Sequence, residues 1–177
     1  MPETITIDEV NRLDQDEFVS RFGALYERSP WVAEAAWHES PFADLSGLHE
    51  ALVRAVHEAP QERQLSLIRA HPDLAGKAAV AGELTAESAG EQASAGLDRL
   101  SPGEYEAFTA MNAAYREKYG FPMIVCVREH DKASILKNAR VRLGNSYEEE
   151  FETALAEIFK IAKLRLRDLV EAEQERG

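Results

Sequence analysis

Histidine is the side chain that exchanges protons near neutral pH, and His71 stands where such an exchange can be directed. An apolar helical run leads up to it and Pro72 follows, so the fixed proline φ ends the helix and sets the imidazole on a short loop. A residue so placed can serve as a general acid or base, or it can simply close the helix with its ring bonded to a carbonyl of the last turn. Further along, Thr85 fits an N-cap, and helical spacing puts Ser88, Glu91 and Gln92 on one face with Ala95 on the same stripe. Three polar groups above small side chains suit a hydrogen-bonding wall for a small polar ligand; the alternative is a solvated acidic face. A third signal comes from the last helical segment. At about 100° per residue, Phe151, Leu155, Ile158, Ala162, Leu166 and Leu169 form one apolar stripe, and Arg165 falls on its edge while Lys160, Lys163 and Arg167 point away. An inward guanidinium needs an anionic partner, which is either a structural Asp or Glu or a bound carboxylate.

Other chemistries find little support. Gly76-Lys77 lacks the upstream glycine and the following Ser or Thr of a phosphate-binding loop, and no dinucleotide fingerprint occurs. His38, His49, His57, His71 and His130 include no pair four residues apart, so a metal site would have to be gathered from distant parts of the chain. No nucleophile elbow is present, and Cys126, in the apolar run Ile124-Val125-Cys126-Val127, reads as buried filler.

The elements that must position these residues are helical. Asp14 with Glu17 makes a capping box for a helix carrying Phe18, Phe22 and Leu25, and Ser29-Pro30 restarts the chain. Leu48, Leu52, Val53 and Val56 form the next apolar face, and Leu65 and Ile68 belong to a further helix that His71-Pro72 terminates. From Ala70 to Gly96, 13 of 27 residues are Ala or Gly, which predicts close approach of neighbouring elements. Ser101-Pro102-Gly103-Glu104 starts a helix with Tyr105, Phe108, Met111 and Tyr115 on one face, and Gly120-Phe121-Pro122 stops it. A helix around Ala133 to Val141 follows, and Ser146 with Glu149 opens the longest one, reaching about Ala172. Two-residue alternation is confined to Thr4 to Ile7 and to Ile124 to Val127. The reading is all-α: a single-domain bundle of about eight to nine helices spanning 1–177, with its core from about 8 to 170.

A chain of 177 residues with 45% hydrophobic and 29% charged residues has the composition of an ordinary folded domain. Twenty Lys and Arg against 32 Asp and Glu give a net charge of −12, a field that repels nucleic acid and anionic membranes. One cysteine fits a reducing compartment, and no stretch approaches the roughly 18 to 20 apolar residues of a membrane span. The N-terminus lacks the basic start and apolar core of a secretory signal and the C-terminus lacks a retention tripeptide, so the expected location is cytoplasmic.

At the residues singled out above, the sequence resembles the 2-oxo-4-hydroxy-4-carboxy-5-ureidoimidazoline (OHCU) decarboxylase family. The signatures are Ser29-Pro30-Trp31-Val32, the block His71-Pro72-Asp73-Leu74-Ala75-Gly76-Lys77, and Ser88-Ala89-Gly90-Glu91-Gln92 with Ala95-Gly96-Leu97. Asn112, Tyr115, Lys118-Tyr119-Gly120-Phe121-Pro122-Met123-Ile124 and Ala162-Lys163-Leu164-Arg165-Leu166 follow in the expected order, and Trp37-His38-Glu39-Ser40 is also family-like. The resemblance implies an all-α, cofactor-free, metal-free homodimeric carboxy-lyase. Its substrate would be a small anionic ureidoimidazoline converted to (S)-allantoin in urate breakdown. Residue by residue it implies His71, Glu91 and Arg165 as catalytic. As substrate contacts it implies Pro72, Ser88, Ala89, Gly90, Glu91 and Gln92, with the backbone of Met123, Ile124, Val125, Cys126 and Val127. Met123 departs from the family, which commonly carries an aromatic or other large apolar residue there; a contact made through the backbone is little affected. Many bacterial relatives are fused to the preceding hydrolase, for which this chain is too short. Two other readings remain open from the residues alone: an enzyme of the same fold acting on another ureide or oxo-acid, and a non-catalytic acidic helical module.

Overall fold

Helix starts are where the sequence is most explicit, and the computed structural model of the chain, which describes residues 3–75 and 84–171, sets helices at them. Asp14 Oδ1 accepts from the Glu17 amide at 2.8 Å while Glu17 reaches back to the Asp14 amide. Ser101 and Glu104 make the same reciprocal pair, with Pro102 opening the helix. Ser146 and Glu149 repeat it at 3.2 Å in both directions. Each box satisfies two of the amides that a helix start leaves without an intrahelical partner. Among the described residues there are nine α-helices and no strand. Gly76 and Lys77 lie outside the described residues, and the last helix ends at Leu169, short of the expected Ala172, where Val170 leaves it for a bridge to Ile5.

The chain divides into two compact units, Met1–Leu67 with Phe159–Gly177, and Ile68–Ile158. The first contains α1 (Ile7–Val10), α2 (Gln15–Phe22), α3 (Trp31–Trp37), α4 (Leu45–His57) and most of α5 (Gln61–Ala70). Its core is built from Phe18, Phe22, Leu48, Leu52 and Val56, each 1% exposed or less, with the Phe18 ring 5.0 Å from Phe22 and 6.1 Å from Phe42. Two expectations shift by two or three residues. Leu25 is buried but lies beyond α2, which ends at Gly23, and on α5 it is Leu67 with Ile68, not Leu65, that is fully buried. The alternation at Thr4 to Ile7 yields a single parallel bridge from Ile5 to Val170 instead of a strand.

The second unit contains α6 (Ala86–Ser94), α7 (Pro102–Tyr119), a 3-10 turn (Val127–Glu129), α8 (Lys132–Arg142) and the first part of α9 (Tyr147–Leu169). Phe108, Met111 and Tyr115 are buried on the predicted face of α7, and the rings of Tyr115, Tyr119, Phe121, Tyr147 and Phe151 form one cluster with neighbouring centroids 4.5–6.4 Å apart. Gly120 ends α7 in the left-handed region at φ 76° and donates to Arg116 O. The alternation at Ile124 to Val127 does not produce a strand either. All seven residues from Phe121 to Val127 are buried, so the run carries no outward face.

A Cβ added at Gly120 would meet Arg69 Nη2 at 3.9 Å, an ordinary contact, so the cost of a side chain there is conformational. Gly120→Ala is expected to destabilise the protein by about 1 to 2 kcal/mol. Urea unfolding should show a lower midpoint at unchanged slope.

Candidate active site

Helix α5 ends at Ala70, and the His71 amide closes its last turn on Ile68 O at 3.2 Å. His71 is 6% exposed and Pro72 is half-buried. The three residues that follow, Asp73 to Ala75, are shaped by side chains from two helices. Gln92, on the buried face of α6, accepts from the Ala75 amide at 3.0 Å and donates to Asp73 O at 3.3 Å. From α7, Asn112 Nδ2 donates to Leu74 O at 2.8 Å and Arg116 Nε pairs with Asp73 Oδ1 at 2.9 Å. Between these holds Ala75 adopts φ 52°, a conformation that costs an alanine about 1 to 2 kcal/mol. The loop bearing His71 is therefore a tied structure.

Helix α6 begins at Thr85, whose Oγ1 accepts from the Ser88 amide at 3.3 Å. Ser88 and Gln92 are each 5% exposed and Glu91 is half-buried, so the face anticipated from the spacing turns inward and is no solvated acidic surface. Ala89 and Gly90, carried in the same contiguous motif, are exposed, because successive helical residues are rotated by about 100° and fall on the opposite side. A methyl group at Gly90 would meet no described atom within 4 Å. The motif thus contributes Ser88, Glu91 and Gln92 to the interior.

Helix α6 also packs against the 3-10 turn, which brings the end of the run Met123 to Val127 beside it. All five residues are 6% exposed or less. Ile124 O accepts from Arg142 Nη1 at 2.5 Å, and the Cys126 amide donates to Glu157 Oε1 at 3.4 Å. Cys126 O and Val127 O accept from the Glu129 and His130 amides within the turn. Among the described residues nothing pairs with the main-chain N–H and C=O of Met123 and Val125. Burial, reinforced by the carboxylates of Glu129, Glu157 and Glu91, pushes the Cys126 thiol up to about 11, which fits its reading as filler and not as a nucleophile. Three groups of candidates, the His71 loop, the inner face of α6 and the 123–127 segment, are brought together in the second unit. Among the described residues no group of three His, Cys, Asp or Glu side chains could hold a metal ion.

Arg165 lies in the first unit and is 5% exposed. Its two terminal nitrogens each stand 3.2 Å from Glu27 Oε2, and Nη1 also donates to Ala24 O at 3.2 Å. Of the two anionic partners the sequence allowed, a structural carboxylate is present. Sequence reasoning missed Glu27, and it missed Arg142, Glu150 and Glu157 as buried groups. For the last two a signal existed: Glu150, Ala154, Glu157 and Ile161 follow at spacings of four, three and four, and all four are buried, so the inner face of α9 is wider than the apolar stripe.

Residues 11–167 match the model of the OHCU decarboxylase family. The chain belongs to that family. It is 45% identical over 165 residues to the 2-oxo-4-hydroxy-4-carboxy-5-ureidoimidazoline decarboxylase of Halalkalicoccus jeotgali, covering 93% of this chain and 92% of the relative. To the decarboxylase of the same name from Haloferax volcanii it is 45% identical over 169 residues, covering 96% and 98%. Among solved structures, the crystal structure of (S)-allantoin synthase is similar with a TM-score of 0.76 at 29% identity. That likeness covers 94% of this chain but 55% of the solved one, so the chain spans about half of its length.

Two outcomes follow from these geometries. Cys126 should resist iodoacetamide in the folded protein until the pH approaches 11, and react in urea near its ordinary value of 9.0, as mass spectrometry of the alkylated fraction will show. Arg165→Met removes the guanidinium beside the buried Glu27 carboxylate and should cost about 3 to 5 kcal/mol, most of it recovered in the double variant with Glu27→Met, read by urea unfolding.

Proposed function

We propose that this member of the family is a carboxy-lyase that converts 2-oxo-4-hydroxy-4-carboxy-5-ureidoimidazoline to (S)-allantoin. The observation that carries the reading is the role of α6, which ties the His71 loop through Gln92 and packs against the end of the buried 123–127 segment. An imidazole, a carboxylate at Glu91 and main-chain amides without a partner among the described residues are thereby held within one compact unit.

The chemistry asks for few groups. When the carboxylate leaves as CO2, its bonding electron pair remains on the ring carbon and spreads onto the neighbouring carbonyl or imine, so the ring itself serves as the electron sink. The protein has to hold the carboxylate out of the ring plane, stabilise the enolate-like intermediate and deliver one proton to one face. His71 takes the 4-hydroxyl proton or donates the final one, and Glu91 fixes the imidazole or the ureido group. Main-chain groups between Met123 and Val127 grip the ring amides, which offer donors and acceptors in the same plane. Pro72 and Ser88 line the substrate. Gln92 supports the loop in addition to any contact of its own. Arg165 anchors an anionic or carbonyl oxygen, and the stable double variant separates that part in turnover from its part in folding.

The family match takes in parts of both compact units, which supports treating the chain as one functional domain. A homodimer working in the cytoplasm is the state expected from the resemblance and from the single cysteine. Among the described residues no helix is long and apolar enough to cross a membrane.

The deciding measurement is circular dichroism of the allantoin formed when freshly generated substrate meets the protein, with a blank in which uncatalysed decay gives the racemate. A fast-growing (S) signal is expected, reduced about a hundredfold or more in His71→Ala and Glu91→Ala while both variants stay folded. Near-normal stereospecific turnover by His71→Ala removes the acid/base assignment. A wild-type signal equal to the blank moves the activity to another ureide or oxo-acid.

A further inference from the structure

The run from Phe121 to Val127 is buried backbone with no sheet beside it, and two charged side chains read it from outside. Arg142, on α8, gives its Nη1 to Ile124 O. That guanidinium is itself fixed. Its Nε pairs with Glu150 Oε1 at 2.7 Å, and Glu150, which is fully buried, also accepts from Tyr115 Oη at 2.5 Å and Asn145 Nδ2 at 2.9 Å. The Tyr115 ring lies 5.7 Å beneath the guanidinium carbon. Burial, then the bond to Glu150, raises the Tyr115 hydroxyl well above its usual range, so it stays a proton donor. At the other end Glu157, two helical turns after Glu150 on α9 and 6% exposed, accepts from the Cys126 amide.

Peptide geometry converts these two holds into a statement about the residue between them. Both peptide bonds flanking Val125 are trans, and in a trans peptide the C=O and the N–H point in opposite directions. Fixing Ile124 O on Arg142 therefore turns the Val125 N–H away from Arg142, and fixing the Cys126 N–H on Glu157 turns the Val125 C=O away from Glu157. Neither of those two Val125 groups has a partner among the described residues, although Val125 is 2% exposed; the Met123 N–H and C=O and the Ile124 and Val127 amides share that state, but Val125 alone has both of its flanking peptides held by a charged side chain. Buried main-chain donors and acceptors are rarely left unpaired, and a pair oriented from both sides is suited to a ligand. We propose that Arg142 and Glu157 are positioning residues for the decarboxylation: by holding the Ile124 carbonyl and the Cys126 amide, they aim the N–H and C=O of Val125 as a donor–acceptor pair at a ring amide of the substrate. The inference rests on the reading above that the 123–127 backbone contacts substrate, and it adds what aligns that backbone.

Glu157→Met removes the acceptor and Glu157→Gln keeps one, while Arg142→Lys keeps a charge beside Glu150 but shortens the reach to Ile124. Each variant is compared with the wild type by thermal melting, by kcat and KM for the ureidoimidazoline, and by amide hydrogen exchange across 122–127. Glu157→Met and Arg142→Lys should raise KM about tenfold or more with a smaller change in kcat, and Glu157→Gln should recover most of the loss. Exchange within 122–127 should quicken in the first two and not in the third. A folded Glu157→Met protein with wild-type KM and wild-type exchange overturns the proposal, as does an equal rise in KM for Glu157→Gln. Should the wild type not turn over the substrate at all, the functional reading fails, and quickened exchange in Glu157→Met would still establish the hold on the segment.

Discussion

Non-helical backbone buried in a helical protein has no neighbouring strand to pair with, so each of its N–H and C=O groups must find a side chain, a turn or a ligand. The second unit carries two such stretches, and its polar interior is arranged around them. Residues 73–75 are met by the amides of Gln92 and Asn112, and residues 124–126 by Arg142 and Glu157. The same need accounts for Glu150 in a fully buried position, since the guanidinium that reaches Ile124 needs an anion beside it in a medium that stabilises charge poorly. The long helices act as scaffolding for polar arms that shape non-helical chain.

What was legible in the sequence is what is local. The capping boxes at Asp14, Ser101 and Ser146 and the stop at Gly120 depend on partners three or four residues away, and each is where the pattern puts it. The inner face of α6 and the inward aim of Arg165 follow from helical spacing and were equally accessible. The partners were not. Glu27 precedes Arg165 by 138 residues, and no periodicity links them. Glu150 and Glu157 went unnoticed despite their spacing with Ala154 and Ile161, because acidic side chains at the margin of an apolar stripe are usually solvated. Ala89 and Gly90, which the resemblance groups with Ser88, Glu91 and Gln92, are exposed, because neighbours along a helix point in different directions.

The first unit solves a related problem at the turn after α2. Arg28 is held at φ 47°, Ser29 Oγ donates to Glu27 O at 2.8 Å, and Pro30 starts α3. The family-like Ser29-Pro30-Trp31-Val32 run thus begins where the chain must fold back to leave Glu27 facing inward to the guanidinium. Arg165 in turn takes the carbonyl of Ala24, so one side chain ties both ends of the turn.

The proposed recognition through the main chain carries an evolutionary consequence. An amide N–H and a carbonyl are the same atoms whatever side chain they carry, so residues 123 and 125 are free to drift as long as their volume suits the surrounding core. On that proposal, selection along this stretch falls instead on Arg142 and Glu157, which hold the backbone without meeting the substrate, so two descendants of this protein could share every main-chain atom at that contact and still differ in what they accept.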